Sequence, residues 1–159
     1  MCVTIRRATI DDAKQISELI VPLTKKYVCP TWEQDAHHVV LESMSAENVA
    51  SYIANDYYYL IAEDEHQSVI GVACMRDFSH LYHLFVAEKH QGKGVSRLLW
   101  QRLKSVSLKQ GNQGRFTVNA ALNSEQVYAK FGFKRTQGVR KCRGMVDVPM
   151  ELTVADKVI

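Results

Sequence analysis

Apolar positions in the first third of the chain recur at helical spacing, and from Tyr57 onward the period shortens to that of strands. Val3 to Arg7 alternates as a short strand, and Thr9-Ile10-Asp11-Asp12 reads as a capping box opening a helix with the stripe Ala13, Ile16, Ile20 and Leu23. Pro22 leaves the end of that helix open. From Thr24 to Met44 the pattern is poor, with a helix expected around Ala36 to Ser43. Ser45 then caps a short helix carrying Ala46, Val49 and Ile53. Tyr57 to Ala62, Val69 to Arg76 and His80 to Val86 are three β-rich runs joined by short polar links, which predicts an antiparallel meander. The third run is apolar on both faces, Leu81 and Phe85 on one and Leu84 and Val86 on the other, as in a central strand. Val95, Leu99, Leu103 and Val106 mark a helix ended by Gly111, and Arg115 to Val118 is the next strand, so a right-handed parallel crossover is expected. A helix from Ser124 to Phe131 stops at Gly132, before two last strands, Phe133 to Thr136 and Met145 to Val154. The class is α/β with a mixed sheet.

A length of 159 residues, 47% hydrophobic and 23% charged, predicts one folded domain over 1–159 and excludes global disorder. No apolar run approaches the roughly 20 residues of a membrane span, and the N-terminus lacks a signal-peptide pattern, so a cytoplasmic protein with no membrane contact is expected. Cys2, Cys29, Cys74 and Cys142 are scattered without a Cys-x-x-Cys pair, which suggests free thiols and neither a zinc knuckle nor a disulfide framework. Charge is divided unevenly. Residues 89–143 hold 13 Lys/Arg against one acid, Glu125, a charge of +12, while the remainder carries 7 against 16, a charge of −9. The basic half calls for an anion, and nucleic acid, a membrane surface or a phosphorylated cofactor all answer that description.

Leu84-Phe85-Val86-Ala87-Glu88-Lys89-His90-Gln91-Gly92-Lys93-Gly94-Val95-Ser96-Arg97 narrows the choice. A buried strand runs into a loop with two glycines that opens a helix, which aims free backbone N–H groups and the positive helix end at one point. A Walker loop requires Gly where Ala87 stands and Ser or Thr where Gly94 stands; the dinucleotide pattern requires Gly where Arg97 stands. Neither is supported. On these residues alone, an ordinary strand-to-helix turn stays open.

Gln91-Gly92-Lys93-Gly94-Val95-Ser96 resembles the signature of the GNAT superfamily of N-acetyltransferases, Arg/Gln-x-x-Gly-x-Gly/Ala at the start of the central helix, with Ser96 departing at the last small position. Phe116-Thr117-Val118-Asn119, then Asn123-Ser124-Glu125-Gln126-Val127-Tyr128-Ala129-Lys130-Phe131-Gly132-Phe133, looks like the family's following strand, its Asn-to-Tyr helix and closing Gly-Phe. Pro149-Met150-Glu151-Leu152 and the opening Ile5-Arg6-Arg7-Ala8-Thr9 also match, whereas Val21 to Ala54 does not. The resemblance implies a GNAT-like mixed, mostly antiparallel sheet with one central parallel strand-helix-strand crossover, and acetyl-CoA as cosubstrate. It places the pyrophosphate on the amides of Gln91, Gly92, Lys93, Gly94, Val95 and Ser96, and the pantetheine arm along Leu84, Phe85 and Val86. Asn119, Asn123 and Tyr128 are the further cofactor contacts it implies.

Acetyl transfer to an amine requires a neutral amine, a stabilised carbonyl oxygen and a leaving thiolate that takes a proton. Backbone N–H groups near Leu84 to Val86 suit the oxygen. Tyr128 is the acid implied by the family; from the residues alone it also reads as a packing residue three positions before Phe131. The base is expected at His80, the one basic group where relatives carry a Glu, with a buried structural histidine as the alternative. His83, three residues on, is expected on the opposite face, so His80-x-x-His83 is a poor metal pair and no metal is expected. The reading is therefore an N-acetyltransferase acting by direct attack of a primary amine, the acceptor being a small molecule. A protein lysine or N-terminus is the alternative acceptor. An acyl-CoA sensor and a nucleic-acid-binding module are the alternatives of other classes, and a homodimer is left open.

Overall fold

The computed structural model describes residues 2–154. Their eight strands form a sheet in the order β1 (Thr4–Arg7), β2 (Tyr58–Glu63), β3 (Val69–Arg76), β4 (His80–Val86), β5 (Arg115–Ala120), β8 (Met145–Thr153) and β6 (Lys134–Arg135), with β7 (Arg140–Cys142) also on β8. The β4–β5 pair is parallel and the others are antiparallel. The mixed, mostly antiparallel sheet with one parallel crossover is as the sequence predicts. Helices α1 (Ala13–Leu23), α2 (His37–Ser43) and α3 (Ala46–Ala54) precede the meander, α4 (Val95–Lys109) connects β4 to β5, and α5 (Glu125–Lys130) follows β5.

Alternation over Tyr59–Ala62 of β2 and Val72–Met75 of β3 builds a core on each face of the sheet, while Ile70 is a bulge between the residues paired with Ala62 and Glu63. Tyr59, Ile61, Val72 and Cys74 meet Ile16 and Ile20 of α1 and Val49 of α3, while Leu60, Ala62, Ala73 and Met75 meet Leu99, Trp100 and Leu103 of α4. Each fully buried aliphatic side chain contributes about 1.5–3 kcal/mol. Gly71 allows α4 to come close: a Cβ there would stand 3.0 Å from Leu99 Cδ1 and 3.2 Å from Val95 Cγ1.

Strand β4 departs from the expected alternation. Cys74 pairs with His83 but Met75 pairs with Leu81, so Tyr82 is an extra residue, a β-bulge. The bulge regroups the side chains. Leu81, Leu84 and Val86 pack on the α4 side, and Tyr82 and Phe85 on the α1 side, in place of the Leu81/Phe85 and Leu84/Val86 faces read from the sequence. His83 also shares a face with Tyr82, at 4.4 Å between ring centres. Since β5 turns Phe116 and Val118 toward α4, Thr117 and the His80 bonded to it face the other way, and His83 lies on the same face as His80 rather than opposite it. A one-residue insertion inverts everything beyond it, because side chains alternate with period 2.

Two further elements were not anticipated. Helix α1 runs through Pro22 and widens into a π-helical turn, Thr24–Val28, and a short strand, β7, forms a hairpin with β8. Trp32 Nε1 donates to the Val146 carbonyl at 2.8 Å and Glu33 N to the Gly144 carbonyl at 2.9 Å, which ties this irregular segment to the hairpin.

Arg6 buttresses the first core. Its guanidinium bonds both Asp12 oxygens, at 2.8 and 2.9 Å, and reaches Glu63 at 2.9 Å, so one side chain joins β1, β2 and the start of α1. Asp12 also accepts from Thr9 N at 2.7 Å. The Arg6 bonds, opposed by burial, hold the Asp12 carboxyl below its ordinary value. A depressed carboxyl contributes stability that is present above its unfolded value near pH 4 and is lost as pH falls through the folded one. Asp12→Asn is therefore expected to cost about 1–2 kcal/mol at pH 7, near the low end for charged hydrogen bonds because the Arg6 side chain is 39% exposed. Urea melts at pH 7 and pH 3 check this: the difference between variant and parent should shrink at pH 3.

Candidate active site

Strands β4 and β5 pair only at His80–Thr117 and Leu81–Val118, and beyond these residues they diverge. The gap opens a cavity of about 480 Å³. The bulge determines which backbone groups face it. Ala87 N donates to the Ile70 carbonyl at 2.8 Å, so by alternation Phe85 turns its N–H to β3 while Leu84 and Val86 turn theirs away, toward the gap.

Leu84, Phe85, Val86, Gln91, Gly92, Val95, Ser96, Asn123 and Tyr128, all singled out in the sequence, line this one cavity. Lys93 and Gly94 lie in the same loop but outside its lining. Asn119 is exposed on β5 opposite Pro149, and His80 lies at the paired end of β4. Leu23, Tyr27, Val28, His90, Ser124 and Val127 complete the wall, and of these Tyr27 and Val28 fall in the stretch where the sequence pattern is poor.

The loop is shaped to receive an anion. Gly92 and Gly94 have φ of 76° and 85°, a left-handed conformation that suits glycine, and no atom lies within 4 Å of where either Cβ would be. Gly94 caps α4, whose first-turn amides are left without intrahelical partners beside Lys93 and Arg97. Gln91 Nε2 donates to the Val86 carbonyl at 2.9 Å, which secures the loop to the end of β4.

Over the cavity, the π-helical turn is tied to both banks. Glu88 accepts from Lys26 Nζ at 2.8 Å and from the Tyr27 hydroxyl at 2.7 Å, and Asn123 Nδ2 donates to the Tyr27 carbonyl at 2.8 Å. The Lys26 and Tyr27 bonds hold the Glu88 carboxyl below its usual range.

Tyr128 is 8% exposed on the opposite wall, against Phe131 and Phe133, and burial pushes its hydroxyl well above the ordinary phenol range. It is neutral at any physiological pH. His80 is half-buried with Nδ1 2.8 Å from Thr117 Oγ1, and burial, then Arg76 and Arg140, push its pKa below that of a free imidazole. It is therefore unprotonated at neutral pH. When Nδ1 carries the proton and donates to Thr117, the Nε2 lone pair is available as a base.

The open glycine loop at one end of the gap and the buried Tyr128 on its wall lie in one cavity. The sequence profile of the GNAT acetyltransferase domain matches residues 28–154, and the chain belongs to that family. No curated protein matches the chain by sequence. Solved structures share its fold: an N-acetyltransferase from Rhodopseudomonas palustris (18% identity, 97% of both chains covered, TM-score 0.82); the PaiA N-acetyltransferase of Thermoplasma acidophilum in complex with coenzyme A (19%, 97% of this chain and all of the other, TM-score 0.78); and YncA of Salmonella typhimurium with acetyl-CoA (22%, all of this chain and 98% of the other, TM-score 0.71). Among the described residues, no helix is long and apolar enough to cross a membrane, and no three His, Cys, Asp or Glu side chains converge on a metal-sized site.

Substitution at Gly94 tests the cradle. Gly94→Ala introduces the left-handed strain of about 1–2 kcal/mol without a clash, whereas Gly94→Glu adds a carboxylate where phosphate oxygens would meet the amides. Acetyl-CoA at 100 times its Kd stabilises a binding protein by about 2.7 kcal/mol, roughly 5–10 °C in Tm for a chain this size. That shift, read by thermal melting, should persist in Gly94→Ala and vanish in Gly94→Glu.

Proposed function

We propose that the protein is an acetyl-CoA-dependent N-acetyltransferase that acetylates a primary amine on a small molecule by direct attack. The observation that carries this reading is the gap between β4 and β5, which joins an open glycine loop at the N-terminus of α4 to a buried, protonated Tyr128. Acetyl-CoA supplies the activated thioester. The loop amides of Gln91 to Ser96, with Lys93 and Arg97 beside them, bind its phosphates, and Leu84 to Val86 offer backbone groups to its arm. The Leu84 and Val86 N–H groups, held by the sheet before reaction, stabilise developing charge on the acetyl oxygen. Tyr128 gives its proton to the departing sulfur. His80 Nε2 takes the proton of the attacking amine, directly or through water, with Thr117 holding the ring. In this reading Asn123 anchors the Tyr27 turn over the cavity.

The basic half of the chain serves this same ligand. A surface that binds single-stranded nucleic acid stacks bases on exposed aromatic rings, but Trp100, Phe116 and Phe133 are at most 2% exposed, and Tyr128 is 8% exposed.

Acetyl-CoA turned over against a panel of amines, with free CoA as the readout, tests the activity, and no CoA release with any amine overturns it. Tyr128→Phe should keep the acetyl-CoA thermal shift while lowering kcat by about 10²- to 10⁴-fold. The His80 pKa is depressed, so the rate should rise with pH through a midpoint below the ordinary imidazole value of about 6.5. His80→Ala should remove that limb and leave only the acceptor's own ionisation, which a pH profile of kcat/KM for both proteins will show.

A further inference from the structure

Tyr59, Cys74 and His83 stand in a row across three strands, Tyr59 opposite Cys74 and Cys74 opposite His83, with their side chains on one face. Adjacent strands lie about 4.8 Å apart, so the outer two backbones are about 10 Å from each other. The Tyr59 hydroxyl nevertheless comes within 3.1 Å of His83 Nδ1, because the residue between them is as small as cysteine. Tyr59 is 1% exposed and His83 5%. Burial holds the His83 ring uncharged, so the bond joins two neutral groups shielded from water.

We propose that Tyr59 is a positioning residue for acetyl transfer: its hydroxyl, bonded to His83, pins the β4 bulge and thereby keeps the Leu84 and Val86 amides directed into the gap. This rests on the function proposed above. The reason lies in where the bulge sits. Its extra residue, Tyr82, immediately precedes His83, and an unpinned bulge can be lost by a one-residue slip of the strand beyond it. A slip that pairs Tyr82 with Cys74 and His83 with Ala73 turns His83 to the α4 side and leaves the Tyr59 hydroxyl buried without its histidine partner, which is costly. The same movement reverses the residues beyond it, with side chains and N–H groups exchanging sides. The pair thus opposes the slip that would dismantle the Leu84–Val86 edge, although neither ring lines the cavity.

Tyr59→Phe removes only the hydroxyl, and Ile16→Val, in the same core, serves as a control for simple loss of packing. Register directs the His83 and Phe85 amides at β3, so their hydrogen exchange, followed by NMR in the free protein, reports on the bulge directly. Tyr59→Phe should speed exchange at both by about tenfold or more, while Ile16→Val should not. With the best amine from the panel, Tyr59→Phe should lower kcat about 10- to 100-fold, the loss expected from misplacement of about 1 Å, with the KM for acetyl-CoA within about twofold. His83→Asn, whose amide can occupy the Nδ1 position, should recover kcat relative to His83→Leu. Equal exchange in Tyr59→Phe and Ile16→Val overturns the pin, and faster exchange with unchanged kcat overturns its role in positioning. A parent protein that acetylates no amine overturns the proposed function and the positioning role with it, while the exchange comparison still decides whether the pair holds the bulge.

Discussion

A strand in the middle of a sheet satisfies its backbone hydrogen bonds on both sides, and β4 does so for only part of its length. It pairs with β3 along its whole run, but with β5 only at His80 and Leu81. The N–H groups of Leu84 and Val86 are thereby withheld from the sheet, and an unsatisfied backbone group shut away from water costs about 1–3 kcal/mol. Such an edge is stable only where water or a ligand can reach it. The cavity between the strands is therefore a requirement of the pairing, and the flanking elements are arranged around it: α4 begins at its phosphate-loop end, α5 forms one wall, and the turn after α1 crosses over it.

Charge follows the same geometry. The basic residues that look like an unspecific patch in the sequence include Lys93 and Arg97, beside the open loop and the α4 N-terminus, an arrangement whose positive side chains and unpaired amides favour an anion. Of the aromatic residues among them, Trp100, Phe116, Tyr128 and Phe133 are core residues of the α4 side, and Phe131 packs partly buried against that core. Of the acids outside that half, Asp12 and Glu63 pair with Arg6 and Glu88 with Lys26, while Asp147 and Glu151 pair with Arg140 and Arg115.

What was legible in the sequence is what periodicity and turn chemistry encode. The stripe Ala13, Ile16, Ile20, the Ser45 cap, whose Oγ accepts from Asn48 N at 3.1 Å, and the glycine loop all stand where their local patterns place them. The faces of β4 were not legible, because a bulge leaves no mark in composition: Leu81-Tyr82-His83-Leu84 is as apolar with the extra residue as without it. The Tyr27 turn was illegible for a different reason. It is placed by Glu88, which accepts from the Tyr27 hydroxyl, and by Asn123, which donates to the Tyr27 carbonyl, 61 and 96 residues away, and no local rule reports such partners. Strand β7 is only three residues long, too short for alternation to register.

The bulge also bears on how acid and base are disposed. Tyr128 belongs to the core on the α4 side, whereas His80, with Thr117, faces the other side of the sheet. In an unbroken sheet two such groups are separated by a layer of paired backbone, with no common atom within reach of both. Here the layer is interrupted beyond Leu81. Under the proposed roles, a thioester held along Leu84 to Val86 meets Tyr128 from one face, and an amine entering past His80 meets it from the other. The proton leaves the amine on one side of the sheet and is replaced at sulfur on the other. The separation of β4 from β5 is then more than a slot for a ligand, since it makes a reaction across the sheet geometrically accessible.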